Sequence, residues 1–405
     1  MEVALKTSLS IGYLVPAFPG QTHAFFWREA QAIEETGVPI TFLSTRAPAP
    51  EDCPHPFGPA ARARTTYVFP PRLGPTLRAG VTRPLRLARA MSYVLGLQET
   101  PVQQRLRLMA LIPSAAMLVR VAAERGIGHL HVHSCGDAAH LAALAHILGD
   151  LPYSLTLHGD LEVYGRDHRA KTSAARFVSA VTRPLQAQLL ALNQSLRVPV
   201  IWMGVDAAAL TPAPRPQTLT RPIAFLSVAR LNLTKGHVYF LRALRRLADQ
   251  GLAFHYKIVG DGPYRTEIEA EIAALNLGAH VTLTGALGQD RVHQALQEAD
   301  VFVLSSFGQG EAAPVAVMEA MAMGLPVICS RIGGTADMIE EGETGFLTPQ
   351  CDVAALAEVA GRLARDEDLR LAVGGRARKA ALEKFDYRHM ARQLRLAIEQ
   401  STRTP

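Results

Sequence analysis

Two glutamates, Glu311 and Glu319, stand with seven residues between them in GEAAPVAVMEAMAMG, a segment that is otherwise almost wholly apolar. A carboxylate among apolar side chains is unfavourable unless it is hydrogen-bonded, so each needs a partner, either protein donors or the hydroxyls of a ligand. Read as a helix opening at Pro314, where a missing N–H costs nothing, the spacing puts Val315, Met318, Glu319 and Ala322 on one face. Glu311 then lies in the loop before the first turn. Upstream, SVARLNLTKGH sets Arg230 and Lys235 in a turn between an expected strand and an expected helix. Two cations there, beside helix N-terminal N–H groups, suit a diphosphate. VGDGPYR, Val259–Arg265, reads as a tight turn supporting the fold. Gly333 and Gly334 mark a sharp turn or a close backbone approach to a ligand.

These residues need a scaffold that brings loop ends together, and the pattern supplies one. IGYLVPAF, PITFLS, HLHVHS and YSLTLHG read as strands in the first half, and PIAFLSVAR, FHYKIVGDG, HVTLTG, DVFVLSS and LPVICS in the second. Helical patterns over Phe25–Thr36, Ala138–Leu148, Gly236–Gln250 and Tyr264–Leu275 alternate with them. Such alternation implies α/β architecture with parallel sheets covered on both faces. A chain of 405 residues exceeds one ordinary core. TPAPRPQTLTRP, Thr211–Pro222, carries four prolines and no apolar period, and reads as a linker. The expected domains are therefore 1–210 and 223–385, with 211–222 between them. Ligands of such sheets sit beyond the carboxyl ends of the strands.

With 48% hydrophobic and 19% charged residues the chain is globular, not disordered. Cys53, Cys135, Cys329 and Cys351 are scattered and form no CxxC pair, as expected of reduced thiols. Met1–Ser10 lacks a basic start and an apolar run, so no secretory leader is expected. No apolar run is expected to span a bilayer, Leu108–Ala123 being interrupted by Pro113 and Arg120. Between Arg62 and Arg125 there are eleven arginines against Glu99 and Glu124, a net of +9. Arg83, Arg86 and Arg89, interleaved with Leu85, Leu87 and Met91, suggest a basic amphipathic helix, either a solvated face or a contact with an anionic membrane surface. No binding module for nucleic acid accompanies the charge.

The order SVARLxxxKGH, VGDGP, VTLTG, ADVFVLSS, E-x7-E, AMAMGLPVICS…GG and GETGFLTP, over Ala224–Pro349, resembles the retaining, nucleotide-sugar-dependent glycosyltransferases of group 1 (family 4) with the GT-B fold. GYLVPAFPGQTHAFFWREAQAIEETG, HVHSCGDAAHLAALA, YSLTLHGDL and IWMGVDAAALTP are similar to the exopolysaccharide and colanic acid branch. The chain departs from that branch at Thr22–His23, where a serine–glutamate pair is usual, and at Ala312, where glycine is.

The resemblance implies two doubly wound Rossmann-like domains facing across a cleft, with the C-terminal helix 386–402 returning to the first. It implies transfer of a sugar from a UDP- or GDP-sugar to a sugar or lipid-linked oligosaccharide acceptor, with retention and no metal or other cofactor. By that resemblance Glu319 takes the ribose hydroxyls, Glu311 the sugar hydroxyls, and Arg230 and Lys235 the diphosphate. Ala313, Pro314 and Val315 bring the helix N-terminus to the phosphates, and Ala286 and Leu287 hold the base. His158 reaches toward sugar and acceptor, and Gly20 lets the first loop approach the phosphates. A cytoplasmic protein, peripheral on the inner face of the membrane, is the expected setting. A nucleotide-sugar epimerase on the same fold, and a non-catalytic nucleotide-sugar-binding subunit of a polysaccharide assembly complex, stay open beside it. The run His129, His131, His133, with Cys135 in the same period, reads as structural, as do His140 and His146. Asp160 and Glu162 do not read as an acid/base pair.

Overall fold

Twelve short strands among the described residues, half of them buried end to end, form two separate six-stranded sheets in which every pairing is parallel. The computed structural model describes residues 9–53, 55–212, 221–308 and 311–403. The first sheet contains β1 (Ile11–Leu14), β2 (Ile40–Ser44), β3 (Thr66–Tyr67), β4 (His129–Val132), β5 (Tyr153–Leu157) and β6 (Val178–Ala180). The second contains β7 (Ile223–Val228), β8 (Phe254–Val259), β9 (Val281–Leu283), β10 (Val301–Leu304), β11 (Val327–Ser330) and β12 (Phe346–Thr348). Continuous runs such as VFVL and VICS suit strands covered by helices on both faces, because neither face meets water.

The first sheet runs β3-β2-β1-β4-β5-β6 and the second β12-β11-β10-β7-β8-β9. Numbered from its own first strand, each is the Rossmann order 3-2-1-4-5-6, so the strand order reverses between β1 and β4 and again between β7 and β10. Those two places are where loops diverge at the carboxyl ends and leave room for a ligand.

The chain divides into two compact units, residues 1–202 with 390–405, and residues 203–389. Met203–Leu210 clusters with the second unit because it runs beside Phe385–Tyr387: Val205 N–H donates to Phe385 O, Tyr387 N–H to Val205 O, and a Cβ on Gly204 would overlap Tyr387 at 2.2 Å. Of the expected linker Thr211–Pro222, residues 213–220 lie outside the described residues. So do Met1–Ser8 of the segment read for a leader, and Gly310 of the glutamate segment. In the second unit the core is aromatic and aliphatic, with Phe225, Phe240, Tyr256, Ile258 and Val303 all at 1% exposure or less. Burial of each such side chain contributes about 1.5–3 kcal/mol.

Pro113 and Arg120, which interrupt the apolar run, do not interrupt the helix Leu111–Arg125, since the proline falls in its first turn, where no N–H is needed. With Val102–Met109 before it, the stretch Val102–Arg125 is long and apolar enough to cross a membrane by length and composition, and 44% of its apolar window is buried in the protein. Ile112, Ala115, Leu118 and Ala122 of this helix are core residues, packed toward the helix Asp137–Gly149.

Candidate functional site

In the second unit the loops after β7, β8, β9, β10 and β11 all leave the carboxyl ends of the sheet. The loop after β7 carries Arg230, exposed and without an ion pair among the described residues, and then the short turn Leu233–Lys235. Asn232 caps that turn by accepting from Lys235 N–H at 3.2 Å. Gly236 follows with φ +65°, and a Cβ there would lie 2.0 Å from Ser305 O, so only glycine lets the β7 and β10 loops touch. Ser305 Oγ donates to Gly236 O and Phe307 N–H to Thr234 O, fastening the two loops.

That fastening brings Lys235 to Glu311. The ammonium pairs with Glu311 Oε2, and Ser306 Oγ donates to the same oxygen at 2.8 Å. The lysine side chain is 19% exposed and the carboxylate 10%. Glu311 is therefore satisfied from within the protein, where the sequence led us to expect ligand hydroxyls. Its Oε1 and the remaining lysine N–H groups retain capacity for a ligand. Gly333, at φ +53°, presses on Glu311 from the β11 side: a Cβ would lie 1.8 Å from Glu311 O. Gly334 N–H donates to Ala312 O at 2.7 Å.

The helix expected after this loop spans Val315–Ala322 with Pro314 as its N-cap. Ala313 and Pro314 are buried and Val315 half-buried, so the first-turn N–H groups sit beside Glu311. The face differs from the expected one. Met318 and Ala322 are fully buried, and the half-open stripe is Val315, Ala316 and Glu319. VGDGPYR does brace the site, since Gly260 and Gly262 lie against Ala229 O and Leu231 O, where any Cβ would come within 1.9 and 2.3 Å. Gly260 also pairs with Gly285, which positions exposed Ala286 and half-buried Leu287 beside it.

The remaining two expected residues belong to the first unit. Gly20 lies in the loop after β1 against the His23 ring, 3.1 Å from where its Cβ would stand. His158 directly follows β5 and packs against Phe25 and Phe26, with ring centroids at 5.3 and 5.2 Å. Its Nε2 is 3.1 Å from His133 Nδ1, and its Nδ1 is buried without a hydrogen-bond partner among the described residues. Burial lowers His158 to about 3, helped by nearby His23, so the ring is neutral. His129 and His131 share Ser154 Oγ at 2.7 and 2.8 Å, and His131 also meets Thr156 Oγ1 at 2.9 Å. His140 bonds the Tyr93 hydroxyl, His146 faces Leu151 O, and Asp160 accepts from Gln188.

Two residues at these sites escaped the sequence reading. Ser306 is one; its only signal is a hydroxyl directly beyond the strand DVFVL. Glu29 is the other. It lies on the helix Ala24–Glu34 between buried Phe26, Ala30 and Ile33, the same anomaly of a carboxylate on an apolar face that drew attention to Glu319.

The family described as Glycosyl transferases group 1 matches residues 214–380. The chain is 33% identical over 244 residues to the amylovoran biosynthesis glycosyltransferase AmsK of Erwinia amylovora, covering 59% of this chain and 60% of that one. It is 35% identical over 203 residues to the putative colanic acid biosynthesis glycosyltransferase WcaL of Escherichia coli K12, covering 49% and 50%. The chain thus spans half to three-fifths of the length of these relatives. The crystal structure of Anabaena Alr3699/HepE in complex with UDP superposes with a TM-score of 0.74 at 18% identity, over 97% of this chain and 100% of that one. Residues 214–380 are thus similar to the group 1 glycosyltransferases, and the chain has the fold of the GT-B glycosyltransferases.

Proposed function

We propose that the protein transfers a sugar from a nucleoside diphosphate sugar to an acceptor hydroxyl with retention of anomeric configuration. The observation that carries this reading is the Lys235–Glu311–Ser306 cluster, with Arg230 nearby in sequence, at the β7/β10 reversal of the family-matched unit. Arg230 and Lys235 neutralise the diphosphate as the bond from sugar C1 to its oxygen breaks, which stabilises charge that grows in the transition state. The acceptor oxygen attacks the same face, and its proton passes to the departing phosphate oxygen, so the chain supplies no nucleophile and no metal. Glu311 takes sugar hydroxyls through its second oxygen, Glu319 the ribose, and the backbone at Ala286–Leu287 the base. UDP is favoured by HepE, which was crystallised with UDP and with UDP-glucose. A lipid-linked or growing polysaccharide acceptor is favoured by the names of AmsK and WcaL. Incubation with UDP-, GDP- and ADP-sugars and a lipid-linked extract, with product anomers read by NMR, tests this. Transfer with inverted configuration, or none from any donor, overturns it.

The acceptor reading includes a cytoplasmic membrane surface. Nine of the thirteen exposed large hydrophobic side chains among the described residues fall between Phe69 and Leu106. Leu73, Leu77 and Val81, at 63, 70 and 84% exposure, repeat every fourth residue along one helix. Arg72, Arg78, Arg83, Arg89 and Arg107 are exposed in the same stretch. Apolar side chains fringed by arginines suit an anionic bilayer surface. Sedimentation with phosphatidylglycerol vesicles but not phosphatidylcholine vesicles is expected; no binding to either removes this part of the reading.

A further inference from the structure

Beyond β1, β4 and β5 of the first unit lies a line of polar groups that the transfer chemistry above leaves unused. Tyr13 OH on β1 donates to Glu29 Oε1 at 2.5 Å. The same oxygen stands 3.3 Å from His133 Nε2, a charge contact off the line of a hydrogen bond, and that nitrogen makes no hydrogen bond among the described residues. His133 Nδ1 is 3.1 Å from His158 Nε2, and His158 Nδ1 ends the line, buried and unpartnered. Packing keeps the line in place: the His133 ring lies 4.3 Å from Tyr13 and 4.8 Å from Phe26, and the His158 backbone N–H is held by Tyr164 OH at 2.8 Å.

We propose that Glu29, acting through His133, fixes which nitrogen of His158 carries the proton, so that His158 presents an unprotonated Nδ1 to a substrate hydroxyl. The order of protons follows from the contacts. The negative charge of an ionised Glu29, 3.3 Å from His133 Nε2, favours the tautomer with the His133 proton on that nitrogen. His133 Nδ1 is then a bare acceptor, which requires His158 Nε2 to donate. The proton of neutral His158 is thereby assigned to Nε2, and Nδ1 is left as a lone pair. A buried lone pair without a donor is costly, and a sugar or acceptor hydroxyl would satisfy it. Glu29 and His133 are positioning residues, and the inference rests on the reading that His158 meets substrate. The groups facing this line are Tyr13 from β1, His131 from β4, His23 from the loop before the helix Ala24–Glu34, and Tyr164 after β5. Burial and mutual repulsion keep His23, His131, His133 and His158 neutral near pH 7, so none competes as a cation. Burial also raises Glu29 to about 7, so it is ionised at pH 8.5.

The test uses the full chain at pH 8.5. Nitrogen-15 NMR of the imidazoles is expected to show His158 in one form, protonated at Nε2. In Glu29→Leu, which keeps the bulk and removes the acceptor, a mixture of both forms is expected. In transfer assays kcat/KM is expected to fall about tenfold in Glu29→Leu, as the carboxylate's bias on the tautomer is lost. The same change made in a His158→Ala background is expected to cost less than about twofold, because its effect runs through His158. Unchanged His158 signals in Glu29→Leu, or losses that simply multiply, overturn the proposal. The NMR arm needs no turnover. A wild-type protein that transfers no sugar yet shows the shift in Glu29→Leu refutes the proposed function and leaves the relay standing.

Discussion

The two sheets have the same strand order, yet the chemistry at their carboxyl ends differs. Beyond β7 and β10 the chain gathers ions: Lys235 against Glu311, mostly buried, with Arg230 exposed. Beyond β1, β4 and β5 it gathers neutral imidazoles, four of them enclosed with aromatic rings and a single carboxylate. Equal topology delivers loops to equal places, but the residue types decide whether charge or hydrogen-bond directionality is on offer. Paired charges can grip an anion at the water's edge. Neutral rings can be buried at less cost and can hold a hydroxyl in a fixed direction.

The strongest break in this comparison comes from the charged end. Lys235→Ala removes the cation and leaves Glu311 with Ser306 alone. A fall in kcat of about a hundred- to a thousandfold is expected, typical of losing a donor to developing negative charge, with the circular dichroism spectrum unchanged. Turnover within twofold of wild type would strip Lys235 of its role.

Next in size is the glycine clamp on that cluster. Gly333→Ala puts a methyl group 1.8 Å from Glu311 O at φ +53°, so the β11 loop must move away. A loss of about 3 kcal/mol or more is expected in urea unfolding, since the clash adds to left-handed strain of about 1–2 kcal/mol. Gly37→Ala is the control, with φ +85° and open space around it; it carries the strain alone. Equal losses in the two variants would show that the clamp adds nothing.

The charged end was legible in the sequence to the extent that its partners lie in loops directly following strands. Arg230 and Lys235 follow β7, and Glu311 precedes the helix opened by Pro314, as their spacing indicated. The pairing of Lys235 with Glu311 was not legible. It depends on Gly236 allowing two loops, more than seventy residues apart in sequence, to meet. The helix face was misjudged because Val315–Ala322 is buried nearly all round, and apolar periodicity carries no direction when every side is apolar. Glu29 was missed for a different reason. Its neighbours Tyr13 and His133 come from β1 and from the residue after β4, distant in sequence from the helix that carries it. HxHxH showed which face the histidines share but not that hydroxyls of β5 would occupy it.

Acid should separate the two ends. Burial lowers His23 and His140 to about 4 and His129 and His158 to about 3, with His131 and His133 well below the usual value; all lie in the first unit. The second unit has His237 at about 4, for burial and Lys235, and a smaller lowering at His255. An unfolded imidazole takes up its proton below about 6.5, whereas these folded ones refuse it until far lower. Stability present above pH 6.5 is therefore lost as pH falls toward 4. Moving His23 from 6.5 to about 4 corresponds to roughly 3 kcal/mol at full extent. At pH 5, hydrogen exchange should accelerate in β1, β4 and β5 before β7, β10 and β11. The reverse order would mean that carboxylates, not imidazoles, govern acid unfolding.

The finest test reverses sign within one residue. Glu29 titrates near 4.5 when unfolded and, raised by burial despite the bond from Tyr13, at about 7 when folded. Folded protein holds the proton across that window while unfolded protein has released it, so stability falls as pH rises from 4.5 to 7. The full fall is roughly 3 kcal/mol. Glu29→Leu escapes this cost but strands the Tyr13 hydroxyl, whose unmet hydrogen bond costs about 1–3 kcal/mol. The variant should thus be less stable than wild type at pH 5, where neutral Glu29 costs little. At pH 8.5 it should be more stable by about 1 kcal/mol, measured by urea unfolding at both values. Such a crossing would mean that the carboxylate is kept at the expense of stability, as a group that orders the histidines would be. A variant less stable than wild type at both pH values would make Glu29 an ordinary structural partner of Tyr13.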